Sequence, residues 1–294
     1  MLLCTLLTGN FANLIAQPIN CGVEVSPGLA QAMMETTQDV EDYAAARSME
    51  SPATGIVPVR FIYVNGSTSN TVNQSNNDFA INKLNQACAP ANLEFVQCGN
   101  SNELWDDRFQ NIDGIDLDLT LFAYSSNTLE VYVKPVAGTA WAVIPCNVYD
   151  ENNPNYNLQC YTHENFMRLL GTGDFGSTIV HEAGHHFGLL HTWFPAPTGL
   201  SLGRNYMSYW HRFCLNEFTP KQIDRVTYYY DTEKAPLYKP DRCGTFTDRV
   251  EYRGTNIGLH NVTVRMRHSD DAAKCNITTS QSGDYSGLLA TDNG

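Results

Sequence analysis

The chain of 294 residues has few basic side chains, with 18 Lys and Arg against 31 Asp and Glu. The resulting net charge of −13 argues against binding of nucleic acid by general electrostatic attraction. Charged residues make up only 17% of the chain and hydrophobic residues 43%, a balance typical of globular rather than disordered proteins. Beyond the N-terminus, no stretch is apolar for long enough to cross a bilayer. We therefore expect a globular protein with neither a nucleic-acid partner nor a membrane span.

No pair among the nine cysteines has the Cys-x-x-Cys spacing that cysteine-based structural zinc sites use. This many cysteines without such a pair favours disulfides, and with them an oxidising compartment. Sequence proximity alone favours the pairing of Cys88 with Cys98 and of Cys146 with Cys160. The rest of the connectivity stays open.

The N-terminus also lacks the basic residues that usually open a secretory signal. Residues 1–16 are nevertheless apolar, with small side chains near Ala16, so we expect a signal peptide and a secreted protein. Four N-glycosylation sequons agree with secretion if the host is eukaryotic; they begin at Asn65, Asn73, Asn261 and Asn276.

The chemistry is concentrated between His181 and His191, where the sequence reads H-E-x-x-H-x-x-G-x-x-H. If residues 177–187 form a helix, His181 and His185 stand on one face, where two imidazoles can hold one Zn²⁺. Gly188 marks a turn, because glycine reaches positive φ at little cost, and the turn brings His191 back as a third ligand. Three protein ligands leave a fourth tetrahedral position open, as in catalytic zinc sites.

Glu182 follows the first of these histidines and is placed to act as general base, taking a proton from the attacking water. His186 is the other polar candidate inside the motif. It is offset by about 100° from His185 around a helix and should face away from the metal, so we interpret it as structural or surface. The pattern predicts a zinc hydrolase.

A second signal, Asn205-Tyr206-Met207-Ser208-Tyr209, follows the histidines, and this motif before a Met-turn is the metzincin signature. Together with Cys214 and the run Phe218–Arg225, these residues resemble the pappalysin family of metzincin zinc proteases. The similar stretch runs from about Ile56 to Tyr230. The resemblance implies a secreted endopeptidase that acts on polypeptides.

Two residues of the Met-turn have roles that the resemblance suggests. Met207 would form an apolar floor beneath the imidazoles, because a thioether is a weak metal ligand beside three nitrogens. Tyr209 matches the tyrosine that approaches the zinc in some metzincins, where it would bind the metal at rest or hydrogen-bond the oxyanion. Plain packing is the alternative for Tyr209.

In metzincins a short strand at the rim of the cleft takes an extended peptide along its free edge by main-chain hydrogen bonds. The matching residues here, with an ordinary core strand as the alternative, are Ala140, Trp141, Ala142, Val143 and Ile144. Cys21-Gly22 resembles the Cys-Gly that opens many pappalysin-like chains. Cys21 would be either a latency thiolate at the open zinc position or one half of a disulfide.

The sequence departs from the family between the third histidine and the Met-turn. Pappalysin-like chains usually carry a longer segment there, with calcium ligands and a cysteine. Residues 192–206 contain no acidic residue and no cysteine. We therefore expect one catalytic zinc ion, and the family's usual calcium site is doubtful.

The expected fold class is α+β, a metzincin-type domain with a mixed twisted sheet, an active-site helix and a C-terminal helix. The expected units are a signal peptide (1–16), a pro-segment or N-terminal extension (17–54), a catalytic domain (55–232), a linker (233–242) and a partial β-sandwich-like segment (243–294). Composition predicts strands at 55–64, 93–97 and 129–134 and helices at 78–87 and 165–170. Thr219-Pro220 predicts the start of the C-terminal helix.

The favoured function is a zinc-dependent endopeptidase with Glu182 as general base. The alternative is a zinc-binding adhesive or scaffolding protein that has lost proteolysis, suggested by the short segment 192–206 and the β-rich tail. Retention of Glu182 argues against this alternative, because an inactive scaffold needs no base there.

Overall fold

The computed structural model describes residues 21, 31, 34–47, 54–65, 72–99, 101–105, 127–134, 139–145, 165–192, 204–209, 214–240, 246–249, 263–267, 274–278 and 284–287. For residues 104 and 105 and for the strands after residue 240 it describes the backbone only. The signal peptide expected at 1–16 and the expected pair Cys146–Cys160 lie outside these residues.

In the described part of the chain, six strands form the central sheet, and with the helices they give the mixed α and β architecture expected from the sequence. They are β1 (Gly55–Asn65), β2 (Leu93–Gln97), β3 (Asn102–Trp105), β4 (Leu129–Val133), β5 (Trp141–Ala142) and β6 (Phe166–Leu169). The order is β2-β1-β4-β6-β5, and β3 pairs with β1 beyond the end of β2. All pairs are parallel except β5 with β6, which makes β5 an antiparallel edge strand.

The long strand β1 is buried from Val57 to Asn65, because the sheet is covered on both faces. Val57, Val59 and Phe61 join the core shared with the helices. Ile62 packs on the opposite face with Tyr132 of β4. A strand covered on both faces is expected to be hydrophobic throughout, which is how β1 reads in the sequence.

Among the described residues, four helices pack around this sheet: α1 (Thr37–Arg47), α2 (Gln74–Cys88), α3 (Ser177–His186) and α4 (Pro220–Tyr229). A π-helical turn, Tyr230–Lys234, continues α4. The helix predicted at 78–87 begins earlier, at Gln74, because the Asn73 side chain accepts a hydrogen bond from the backbone N–H of Ser75 and caps it. α3 contributes Ile179, Val180 and Ala183 to the core, so the helix that carries the histidines is anchored against the sheet.

The helix predicted at 165–170 is wrong, since this segment is strand β6. Phe166–Leu169 pairs with β4 on one side and β5 on the other. Met167 and Leu169 point into the core shared with the helices, while Phe166 packs on the opposite face. The two-residue alternation of a strand is therefore present, and pairing with distant strands overrides the local helical propensity.

The segment expected to be a linker is packed up to Tyr238. Lys234 and Tyr238 are 1% and 4% exposed, and Tyr238 joins the main core. Beyond it, β7 (Phe246–Arg249) pairs with β10 (Asp284–Gly287), and β8 (Thr263–Arg267) pairs with β9 (Lys274–Thr278), both antiparallel. The β-sandwich expected for 243–294 stays a prediction.

The expected disulfide between Cys88 and Cys98 is wrong. Cys88 is a buried thiol at the end of α2, whereas Cys98 is disulfide-bonded. The five-residue strand β2 separates Cys98 from the turn that follows Cys88. At ~3.3 Å per residue this places the two cysteines well beyond the ~7 Å between Cα atoms that a disulfide spans.

Within the part of the chain that the structure describes, we find no helix with both the length and the apolar character needed to cross a membrane.

Candidate metal centre

Three imidazoles converge at the C-terminal end of α3. The Nε2 atoms of His181 and His191 are 3.2 Å apart, those of His185 and His181 are 3.2 Å apart, and those of His185 and His191 are 3.0 Å apart. All three side chains are at most 1% exposed. Nitrogens held about 2.0–2.1 Å from one tetrahedral ion lie close to this separation from each other.

The local fold explains the convergence. His181 and His185 are one helical turn apart on α3. The helix ends at His186, and Gly188, two residues further on, has a φ of +78°. The N–H of Gly188 donates to the carbonyl of His185 (2.9 Å) and that of Leu189 to the carbonyl of Gly184 (2.8 Å), the pattern of a Schellman C-cap. This turn reverses the chain and returns His191 to the other two rings.

Backbone carbonyls fix the tautomers of two rings. His181 Nδ1 lies 2.6 Å from the Tyr206 carbonyl oxygen, and His185 Nδ1 lies 2.8 Å from that of Leu189. A carbonyl can only accept a hydrogen bond, so each Nδ1 carries the proton and each Nε2 presents a lone pair. Burial lowers the pKa of His181 to about 4 and that of His191 to about 2, so these rings are neutral. Converging lone pairs repel one another unless a cation lies between them, so the residues fit a divalent metal ion.

Glu182 is fully buried next to this cluster. Its Oε2 lies 3.8 Å from Cys21 Sγ, and among the described residues its Oε1 has no hydrogen-bond partner. Burial raises the pKa of Glu182 well above its usual value, opposed by the hydrogen bond from Cys21. This buried carboxyl oxygen beside the histidine cluster is available to a water or a substrate.

The structure brings Cys21 from the N-terminal segment into the same cluster. Its Sγ lies 3.4 Å from His185 Nε2, and it keeps its thiol rather than forming a disulfide. One ligand atom from each of Cys21, His181, His185 and His191 lies within 4.8 Å of all the others. Of the two interpretations of Cys21, the half-cystine is therefore wrong, and the thiol stands where a fourth ligand would.

Tyr209 lies at the rim of the cluster, 36% exposed. The centroid of its ring is 4.6 Å from that of His191 and 6.0 Å from that of His181. Its hydroxyl donates to the carbonyl oxygen of Cys21 at 3.1 Å. Burial raises the pKa of Tyr209, so the hydroxyl stays protonated and able to donate.

Met207 is fully buried. A Cβ added at Gly184 would overlap its Sδ, so the thioether packs directly on the backbone of α3. The Met207 carbonyl accepts from the Thr192 N–H (3.1 Å), which ties the Met-turn to the residue after His191. The contacts are those of packing rather than of a metal ligand.

His186 faces away from the cluster. Its Nε2 lies 2.7 Å from the Tyr238 hydroxyl, and the ring is fully buried. It therefore joins α3 to the segment after α4, a structural position.

The predicted rim strand is shorter than expected, because only Trp141–Ala142 pairs with β6. Ala140 forms an isolated parallel bridge with Cys21, and the carbonyl of Thr139 accepts from Arg168 Nη2 at 2.9 Å. Val143 and Ile144 are buried beyond the strand. Among the described residues, the segment therefore lies at the edge of the sheet, where Ala140 pairs with the same Cys21 whose thiol lies beside His185.

One residue at the site was missed by sequence reasoning. Gln222 of α4 forms a buried amide pair with Asn205 of the Met-turn. The T-x-x-Q spacing of Thr219 and Gln222 is the signal of a capping box and could have drawn attention to this glutamine, though not to its partner.

No family model matches the chain. The chain is 28% identical, over 264 residues, to an extracellular metalloprotease of Sordaria macrospora, with 74% of this chain and 90% of that protein covered. The identity and coverage are the same for an extracellular metalloprotease of Neurospora crassa.

Two solved structures show weak likeness. Metalloproteinase-II from Bacteroides fragilis has a TM-score of 0.35 at 10% identity, covering 68% of this chain and 70% of that chain. A chaperone–substrate complex has a TM-score of 0.36 at 11% identity, covering 64% of this chain and 36% of that chain.

Proposed function

We propose that the chain is a secreted zinc-dependent endopeptidase of the metzincin type, with the pappalysins as the family that its motifs resemble. The observation that carries the proposal is the convergence of three neutral histidine Nε2 atoms, at most 3.2 Å apart, beside the buried carboxyl of Glu182. The relatives named as extracellular metalloproteases support both the activity and the secretion.

His181, His185 and His191 would hold the zinc ion. When bound, Zn²⁺ lowers the pKa of water and polarises a carbonyl as a Lewis acid. The donor set also agrees with zinc rather than calcium, because calcium prefers oxygen ligands and the cluster offers imidazole nitrogens.

Glu182 acts as general base and then as general acid. Its carboxylate takes a proton from the attacking water while the water oxygen bonds to the scissile carbonyl carbon. It then gives that proton to the departing amine nitrogen as the C–N bond breaks, and so returns to its starting state. Burial raises the pKa of the Glu182 carboxyl, so its carboxylate is a stronger base towards the water proton than that of an exposed glutamate.

Tyr209 and Met207 support the reaction from outside the group of reacting atoms. The Tyr209 hydroxyl donates to the Cys21 carbonyl, a position from which it could instead donate to a substrate oxyanion once Cys21 has left. Met207 supports the rings from below by packing against Gly184.

The substrate would lie along the rim segment Ala140–Ile144. β5 is the edge of the sheet, and an edge strand has backbone groups that a peptide can pair with whatever its side chains. In the described state Cys21 pairs with Ala140, so Cys21 occupies this position.

This occupation leads us to propose that residues 17–54 are a pro-segment and that the described state is latent. Cys21 Sγ lies 3.8 Å from Glu182 Oε2 and 3.4 Å from His185 Nε2, a position in which it would exclude the attacking water. Helix α1 anchors the same segment on α4 and the turn after it. Arg47 donates to Asp231 at 2.6 Å and Tyr43 also donates to Asp231, while Arg225 donates to Thr36.

The test is hydrolysis of casein by the purified protein, with its zinc content measured. Glu182→Gln should retain zinc and lose turnover, whereas Glu94→Gln, the same change at an exposed position on β2, should keep both. Unchanged proteolysis in Glu182→Gln would contradict the base assignment. Full activity of a metal-free preparation would contradict the zinc mechanism, and zinc binding without any proteolysis would favour a scaffolding role.

A further inference from the structure

We propose that Gln222 is a positioning residue for the first metal ligand, acting through Asn205 and the peptide bond between Tyr206 and Met207. The inference rests on the proposed function, because it concerns how His181 is held for a metal ion. Gln222 lies in the first turn of α4 and belongs to no motif that the proposed mechanism uses.

The two amide side chains pair face to face inside the protein. Asn205 Nδ2 donates to Gln222 Oε1 at 2.6 Å, and Gln222 Nε2 donates to Asn205 Oδ1 at 3.2 Å. Asn205 is 1% exposed and Gln222 5% exposed. Breaking hydrogen bonds of this kind is costly. A buried amide has given up its hydrogen bonds to water, and without its partner it has nothing in their place.

Backbone donors decide which way each amide points. The N–H of Thr219 donates to Gln222 Oε1 at 2.8 Å, and the N–H of Met207 donates to Asn205 Oδ1 at 2.9 Å. An N–H can only face an acceptor, so both oxygens are fixed by the backbone and both NH₂ groups must face the opposite oxygen. The orientation of Asn205 therefore depends on having a donor at Gln222.

The peptide bond between Tyr206 and Met207 connects this pair to the histidine. Its N–H is the group that Asn205 Oδ1 accepts from, and its C=O is the group that His181 Nδ1 donates to at 2.6 Å. A peptide bond is planar, so the N–H and the C=O cannot turn independently. If Asn205 no longer accepts from this N–H, the peptide bond can rotate, and the carbonyl that orients His181 rotates with it.

The substitution Gln222→Glu distinguishes this positioning role from a role in helix capping. The carboxylate oxygens can still accept from the Thr219 N–H, and a negative charge suits the first turn of a helix. The carboxylate has no donor for Asn205 Oδ1, so two acceptors would face each other. An Asn205 amide that rotates to avoid this contact turns its NH₂ towards the Met207 N–H.

The experiment measures zinc affinity by chelator competition in full-length Glu182→Gln protein, which cannot digest itself. The absorption spectrum of the cobalt-substituted protein reports the geometry at the metal. Gln222→Glu should weaken zinc binding about tenfold, at the lower end of what loss of a partner behind a ligand causes, and should change the cobalt spectrum. Gln74→Glu, the same change at the start of α2, is the matched control and should do neither.

Thr219→Ala tests whether helix stability alone explains the effect. It removes the hydroxyl that accepts from the Gln222 N–H and leaves the amide pair in place. It should lower the unfolding temperature of the metal-free protein without changing the zinc affinity or the cobalt spectrum. If Gln222→Glu does not fold, Asn205→Asp removes the complementary donor from the other side, and the same loss of zinc affinity is expected.

The positioning role is wrong if Gln222→Glu, or Asn205→Asp in its place, binds zinc as tightly as the parent with the same cobalt spectrum. It is also wrong if Thr219→Ala weakens zinc binding equally. A parent protein that binds no zinc would instead overturn the proposed function, so the two failures are distinguishable.

Discussion

Replacing Gly188 by alanine should disrupt the turn on which the third histidine depends. Gly188 has φ +78°, a region that L-residues other than glycine avoid. A Cβ there would lie 3.0 Å from Cζ of the Tyr229 ring and closer still to two other ring carbons. Tyr229 is fully buried in α4, so the ring has little room to move away.

Two effects add to the loss of stability. A non-glycine residue in the left-handed region costs about 1–2 kcal/mol, and forcing extra volume into a packed site costs about 1–3 kcal/mol. Together they predict a loss of about 2–5 kcal/mol in the free energy of unfolding. Zinc affinity should also fall, because Leu189 and His191 follow directly after the displaced turn.

The assay is urea unfolding of the metal-free protein in the Glu182→Gln background, which prevents self-digestion, together with a zinc titration. Gly173→Ala is the control, since a Cβ at Gly173 meets no atom within 4 Å. If Gly188→Ala lies within about 0.5 kcal/mol of this control, the range of ordinary surface substitutions, the argument from the turn and the Tyr229 ring is refuted.

Three further predictions concern other parts of the chain. Cys21→Ser should cleave casein without the lag that a latent wild-type protein shows, and an identical time course would argue against latency. Burial, opposed by Arg60, raises the pKa of Glu130 from 4.5 to about 7, so the folded chain binds more protons between these values. The free energy of unfolding should therefore fall by up to about 3 kcal/mol as pH rises from 4.5 to 7, and Glu130→Gln should remove this slope in urea titrations. Secretion from yeast should place a glycan on the exposed Asn73 and none on the fully buried Asn65, as peptide mapping by mass spectrometry would show.

The histidine cluster could be predicted from the sequence because its geometry is local. The i, i+4 spacing of His181 and His185, and a glycine where the chain turns, determine where three rings lie without knowledge of the rest of the fold. The start of α4 is determined just as locally. Thr219 caps the helix and Pro220 is its first residue, as the sequence predicted.

What could not be predicted depends on contacts between distant residues. β6 has a composition that suits a helix, and its strand conformation comes from pairing with β4 and β5. Cys98 lies close to Cys88 in the sequence, yet the straight strand β2 carries it out of reach. The amide pair of Asn205 and Gln222 joins two segments that are distant in the sequence, and no sequence pattern predicts that these two side chains meet.

The protons on His181 and His185 are held by oxygens of the main chain, contributed by Tyr206 and Leu189. A side-chain acceptor disappears with one codon change, but every residue type supplies a main-chain oxygen. Mutational drift at positions 206 and 189 can therefore alter packing without removing the acceptor itself. Natural variation at these two positions should accordingly be broader than at the histidines they orient.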